Sequence, residues 1–323
     1  MAVRLEGMRV EGPCPRSDAK YSGAAQNENP RAARAPLPEL RPFLWLHSFS
    51  SLTRHAVAVG VEAAAADEAQ ASEPDASDAA PVADPRLLAL DIWRGRHFGD
   101  AVHKLLEDAV PINRDALVAR LAALAVRPRG GDGDAFTPVA QMLHRVRTSD
   151  LGNGLRLCDL PAEARVAEFE FQFPVAVNVA RLRAICTTHA YAELIPASLH
   201  TPALRGMLTG FADLIFEFGG RYHVLDYKTN RLGLRLTDYS GAALDAAMDA
   251  HHYALQALLY TVALHRYLRT RLRGYAPARH LGESWYLFLR AVGLQPEAGV
   301  WRRQWPVTLI EELDEVFSSE TVA

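Results

Sequence analysis

Residues 206–230 constrain this chain more than any other stretch: GMLTGFADLIFEF, then Gly219-Gly220, then RYHVLDYKTN. Two apolar runs rich in aromatic and branched residues read as strands, and two adjacent glycines supply the positive φ of a tight hairpin turn. Strands this apolar must be covered, so the rest of the chain has to pack against them. RVAEFEFQFPVAV (165–177) alternates charged and aromatic residues, as a half-buried strand does. LLALDIW (87–93), GDAVHKLLEDAV (99–110), NRDALVARLAALAV (113–126) and FTPVAQMLHRVR (136–147) carry apolar residues at helical spacing. AHHYALQALLYTVALHRYLRTRL (250–272) predicts a long amphipathic helix, ESWYLFLRAV (283–292) another strand, and LIEELDEVF (309–317) a closing helix. This order predicts an α/β fold: a mixed central β-sheet flanked by helices, with an N-terminal helical part.

The ends of this organisation differ in composition. Residues 1–35, rich in Pro, Ala, Arg and Asn, read as a flexible arm, and the acidic, alanine-rich tract about residues 60–84 as a disordered loop within a domain spanning 36–323. LWLHSFSSLTRHA (44–56) is a short ordered segment between them. The chain has 323 residues, 49% hydrophobic and 23% charged, which suits a soluble globular protein. The formal charge of -3 gives no overall basic field, so contact with nucleic acid must come from a local patch or a bound metal. Three scattered cysteines, Cys14, Cys158 and Cys186, cannot furnish a four-cysteine zinc or iron–sulfur site. There is no membrane-spanning apolar run, no signal-peptide core and no GxxxxGK[ST] phosphate loop, so the expectation is a cytoplasmic chain with no ATP site.

The chemistry centres on the hairpin. Asp226 and Lys228 are two apart on a strand and share a face, and the turn brings Asp213 beside them. Two carboxylates and a lysine form a hard-oxygen magnesium site with a cation alongside, which phosphodiester hydrolysis requires. D-x-K alone also describes two charges on a solvated strand. The apolar neighbours argue otherwise, because inward-facing charges need partners. His103 lies one helical turn before Glu107, and Gln256 shares a helix face with Tyr260. Glu168 and Glu170 share a strand face. Arg266, Arg269, Arg271, Arg273 and Arg279, interleaved with tyrosines, suit either single-strand contacts or a solvated helix end.

The stretch 206–233 followed by YALQALLYTVALHRYLRTRL resembles the nuclease domain of the RecB family, within the PD-(D/E)XK superfamily. HFGDAVHKLLE resembles that family's G-x-x-x-H-x-x-L-E segment, LHSFSSLTRH its opening segment, and Gln256 and Tyr260 its Q-x-x-x-Y motif. The resemblance covers about residues 36–318 and implies a restriction-endonuclease-like core. It implies a magnesium (or manganese) ion held by Asp213, Asp226, the Tyr227 backbone carbonyl and His103, with Lys228 as catalytic lysine. Gln256 and Tyr260 would face the substrate or the metal shell, Glu168 and Glu170 would stand behind the ligands, and Arg266, Arg269 and Arg273 would bind DNA. The implied activity is exo- and endonucleolytic cleavage of DNA, single-stranded or at processed ends, in recombinational repair. The implied partners are RecC-like and RecD-like subunits or a separate helicase. The rival expectations are a non-cutting DNA-binding or assembly module, and a helicase–nuclease fragment inactive without its partners.

Overall fold

The structure is a computed structural model that describes residues 45–48, 83–107, 114–123, 126–129, 135–196, 199 and 203–318. The expected arm over 1–35, and the acidic tract apart from Ala83 and Asp84, lie outside the described residues. The elements, in chain order, are β1 (Trp45–Ser48), α1 (Pro85–Ala89), α2 (Arg96–Glu107), α3 (Arg114–Ala123), α4 (Phe136–Thr148), β2 (Arg165–Asn178), α5 (Val179–Thr188) and β3 (Ala203–Phe218). There follow β4 (Arg221–Lys228), α6 (Gly241–Ala250), α7 (Tyr253–Arg271), α8 (Pro277–His280), β5 (Leu281–Phe288), β6 (Val300–Arg303) and α9 (Val307–Ser318).

The predicted hairpin forms as read. Gly219 and Gly220 have φ of 59° and 73°, the two positive values a type I′ turn needs, and Phe218 to Leu214 pair antiparallel with Arg221 to Leu225. The six-stranded sheet is mixed: β5 runs parallel to β4, β6 antiparallel to β5, and β1 parallel to β3. Strand β3 pairs along almost its whole length with β2. Its other edge serves two neighbours in succession, β1 at Gly206–Thr209 and β4 from Leu214 onward. Among the described residues, 210–213 are paired with neither β1 nor β4.

The side-chain alternation of β3 slips within this stretch. Leu208 and Ala212 pack with Phe169, Phe171 and Phe173 in the core around α7. Leu214 and Phe216, still at even positions, pack in a second core with Phe98, Val102, Leu105 and Met142 of α2 and α4. The slip falls where Asp213 stands opposite Glu168, whose backbone is left-handed at φ 49°. Helices thus cover both faces of the sheet, as the mixed-sheet reading expects.

Helix α7 departs from expectation. The sequence reads as amphipathic, yet every residue from Tyr253 to His265 is buried. The helix lies between the sheet and α9 and has no solvent face over this length, so its polar residues Gln256, Thr261 and His265 all need internal partners. Helices α5 and α6 and strand β6 were not anticipated.

Candidate active site

The site forms where β3 and β4 part. The last ladder pair is Leu214 with Leu225. One step further the Tyr227 N–H would seek a backbone carbonyl on β3; instead it donates to Asp213 Oδ2 at 2.7 Å. A side-chain carboxylate has taken the place of a ladder acceptor, which fixes Asp213 at the mouth of the fork. In a strand, a residue's N–H and C=O leave by the same edge, so the Tyr227 carbonyl is directed there too. The next residue obeys the same rule: the Lys228 carbonyl points the other way and accepts from Leu289 N–H.

Asp226 and Lys228 face the opposite side, toward α7. Lys228 Nζ is 2.7 Å from Asp226 Oδ2 and donates to Gln256 Oε1 at 3.2 Å. The Gln256 oxygen also accepts from the Tyr286 hydroxyl at 3.0 Å, and its amide nitrogen donates to the Tyr260 hydroxyl. Both ends of the Gln256 amide are therefore engaged, and this fixes its orientation. The Lys228 ammonium lies 3.9 Å from the centroid of the Tyr253 ring and 5.3 Å from that of Tyr286.

Charge in the site is strongly conditioned by burial. Burial, then the neighbouring Asp213, push the Asp226 carboxyl up to about 6, against the pull of Lys228. Burial alone would lower the Lys228 ammonium, but the Asp226 carboxylate more than reverses this and holds it protonated. His103 reaches Asp213 from α2, with Nδ1 3.2 Å from Oδ1. Burial opposes charge on that ring as well, and the Asp213 carboxylate raises it. Glu168 is exposed but belongs to the same field: partial desolvation first, then Asp213 and Glu107, raise its carboxyl.

Two devices bring α2 to the end of β4. Gly99 allows a close approach there, since a Cβ would lie a tight 3.2 Å from Thr229 Oγ1, immediately after Lys228. His103 then follows one turn later on the same face. Buried Arg290 donates to the carbonyls of Thr229, Leu90 and Trp93, tying the strand end to the segment leading into α2.

The structure thus brings together Asp213, Asp226, Lys228, Tyr227, His103, Gln256, Tyr260 and Glu168. Glu170 pairs in register with Phe211 and is exposed. The arginines are not part of this group. Arg266 and Arg269 both bond the Asp314 carboxylate, and Arg266 also bonds the Asp314 carbonyl and Ser318 Oγ. They clamp α7 to α9, with Arg266 ten residues, about 15 Å, along the axis from Gln256. Arg273 lies beyond the last residue of α7 and is exposed. Tyr253 and Tyr286 escaped the sequence reading. Tyr253 precedes Gln256 by three on one helix face and was findable by spacing, whereas nothing local marks Tyr286.

Among the described residues, no three His, Cys, Asp or Glu side chains stand ready-made as a metal site. The carboxylates face His103 and Lys228 instead. Their chemistry nevertheless fits a hard divalent cation, because two carboxylates converge here and the charge of Asp213 raises the buried Asp226 carboxyl, a repulsion such an ion neutralises.

A profile of the PD-(D/E)XK nuclease superfamily matches residues 87–320. The chain belongs to this superfamily. Asp226-Tyr227-Lys228 spells the second half of the superfamily's name, and Asp213 follows Ala212 where that name has proline. Among curated relatives, the RecBCD enzyme subunit RecB of Escherichia coli K12 is 35% identical over 255 residues, 76% of this chain and 21% of the relative. The same subunit from Haemophilus influenzae Rd is 34% identical over 234 residues, 71% of this chain and 19% of the relative. That from Mycobacterium tuberculosis H37Rv is 36% identical over 277 residues, 76% of this chain and 25% of the relative. The chain therefore spans a fifth to a quarter of the length of these relatives.

Proposed function

We propose that this chain is a magnesium-dependent nuclease that hydrolyses DNA phosphodiester bonds, RecB-like in processing DNA ends for recombinational repair in the cytoplasm. The observation that carries this reading is the pair Asp213 and Asp226 at the strand fork, with Lys228 held as a cation against Asp226. Asp213, Asp226, the Tyr227 carbonyl and His103 would hold the ion, which when bound supplies Lewis-acid polarisation of the phosphate and a more acidic attacking water. Lys228 would donate to the phosphate and offset charge developing on it. Gln256 keeps the Lys228 ammonium directed, and Tyr260 and Tyr286 keep Gln256 in place. A purely DNA-binding module would gain nothing from buried carboxylates, which repel phosphate.

The test is digestion of linear single- and double-stranded DNA by the purified chain, with Asp226→Asn as control. Magnesium or manganese should support cleavage, calcium poorly, and EDTA or the substitution should abolish it. Titration calorimetry with magnesium should show binding by the wild type that is lost in Asp226→Asn. Cleavage at wild-type rate in EDTA would sink the metal mechanism. The short coverage of the relatives favours a related reading, in which the chain is the cutting module of a larger assembly with RecC-like and RecD-like subunits or a separate helicase. Stimulation of digestion by such a helicase supports that version.

A further inference from the structure

We propose that Tyr253 is a positioning residue whose ring face seats the Lys228 ammonium, so that an aromatic surface, and not hydrogen bonds alone, sets where the lysine's charge lies. Among the described residues, the lysine has two hydrogen-bonding partners, Asp226 and Gln256, both approached from its tip. Two contacts leave a flexible four-carbon stem free to swing about them. The third constraint is the Tyr253 ring, 3.9 Å from Nζ at its centroid, well inside the range in which a ring quadrupole attracts a cation. Tyr286 closes a second side at 5.3 Å.

The ring is itself held. Tyr253 is the first residue of α7, its hydroxyl donates to Asn230 Oδ1 at 3.3 Å, and the His251 ring stacks against it with centroids 5.0 Å apart at 22°. Tyr286 and Phe288 pack against it with tilted rings, centroids 5.9 and 6.4 Å away. A buried, hydrogen-bonded and stacked ring is a rigid wall, and a cation desolvated against it gains more than one in water. Tyr253 is not a catalytic residue, because it acts only through Lys228.

The consequence for rate rests on the nuclease reading, but the seat itself does not. Lys20, Lys104 and Lys228 are the only lysines in the chain, so a full-length protein labelled with 13C-lysine gives three sets of ε-methylene signals. Lys228→Arg identifies the third set. Ring currents should displace Lys228 furthest upfield in the wild type. Tyr253→Phe should keep that displacement and Tyr253→Leu should lose most of it. In the cleavage assay, kcat on saturating DNA should fall about tenfold in Tyr253→Leu with KM nearly unchanged, and Tyr253→Phe should recover it to within a few-fold.

An undisplaced Lys228 signal in the wild type overturns the proposal, and that measurement stands even where Tyr253→Leu does not fold. So does an equal loss of rate in the phenylalanine and leucine variants, which would make the hydroxyl, not the ring, the working part. A wild type that cuts no DNA while its Lys228 signal is displaced sinks the nuclease reading and leaves the seat intact.

Discussion

His223, on β4 in the middle of the sheet, should make this protein sensitive to mild acid. It is 5% exposed, and its ring lies flat against Phe216 with centroids 4.9 Å apart. Nδ1 accepts the Glu283 N–H at 3.0 Å and the Trp285 indole N–H at 3.2 Å, while Nε2 faces the Phe218 carbonyl at 3.3 Å. This pattern suits only the neutral ring protonated on Nε2, since a second proton would point Nδ1 at two donors. Burial first, and the nearby Arg221 charge, lower the ring from its ordinary 6.5 to about 4. A depressed histidine binds its proton more readily in the unfolded chain. Its contribution is therefore complete above pH 6.5, declines as pH falls from there, and is gone below about 4. The gap, at about 1.36 kcal/mol per pH unit, comes to about 3 kcal/mol. His223→Asn keeps an acceptor near Nδ1 and removes the titration. Urea unfolding followed by tryptophan fluorescence in metal-free buffer, at steps from pH 7.5 to 4, gives both stabilities. The variant should start less stable, and the wild type should lose about 3 kcal/mol more than it across that range. A wild-type advantage that stays constant over the whole range refutes the argument.

Arg290→Met strips donors from the carbonyls of Thr229, Leu90 and Trp93 and should lower stability by about 3 kcal/mol or more in denaturant melts. Asp314→Asn leaves part-buried Arg266 without its counter-charge and should destabilise by about 3 kcal/mol, whereas Arg269→Gln, at a half-exposed position, should change stability by less than about 1 kcal/mol. Burial works against the Asp314 charge, but His265, Arg266 and Arg269 together hold its carboxyl down at about 2, so the wild type alone should lose this contribution as pH falls from 3.8 toward 2. Gly210→Ala places a Cβ 2.5 Å from the Phe171 ring and 3.2 Å from Tyr260, and a lowered Tm reflecting about 1–3 kcal/mol is expected.

The parts of this fold legible in the sequence are those with local signatures. Strand β2 announces itself by alternation, and the Gly219-Gly220 turn fixes the β3–β4 register and thereby the meeting of Asp213 with Asp226. Helix α6, GAALDAAMDA, is so rich in alanine that its apolar period is faint, and β6, VWRR, is four residues long with two charges. Helix α7 looked half-polar because the partners of its polar residues, Ser284 for Thr261 and Tyr275 for His265, cannot be seen from the helix itself. The arginine run stayed open between two readings for the same reason: Asp314, which takes up two of its charges, lies 45 residues or more downstream. His103 depended on resemblance, since a single helical histidine carries no sign of the strand it will face.

The shared edge of β3 bears on how this chain avoids meeting itself. A fragment cut to 87–320, the stretch matched by the superfamily profile, keeps every residue of the site but discards β1. The backbone groups of Gly206–Thr209 that β1 covers would then lie bare along the middle of the longest strand. An uncovered edge accepts whatever extended segment arrives, including one from another copy. The four residues Trp45–Ser48 therefore shield part of an edge from pairing with another copy, and a domain boundary drawn at residue 87 is expected to leave that part open.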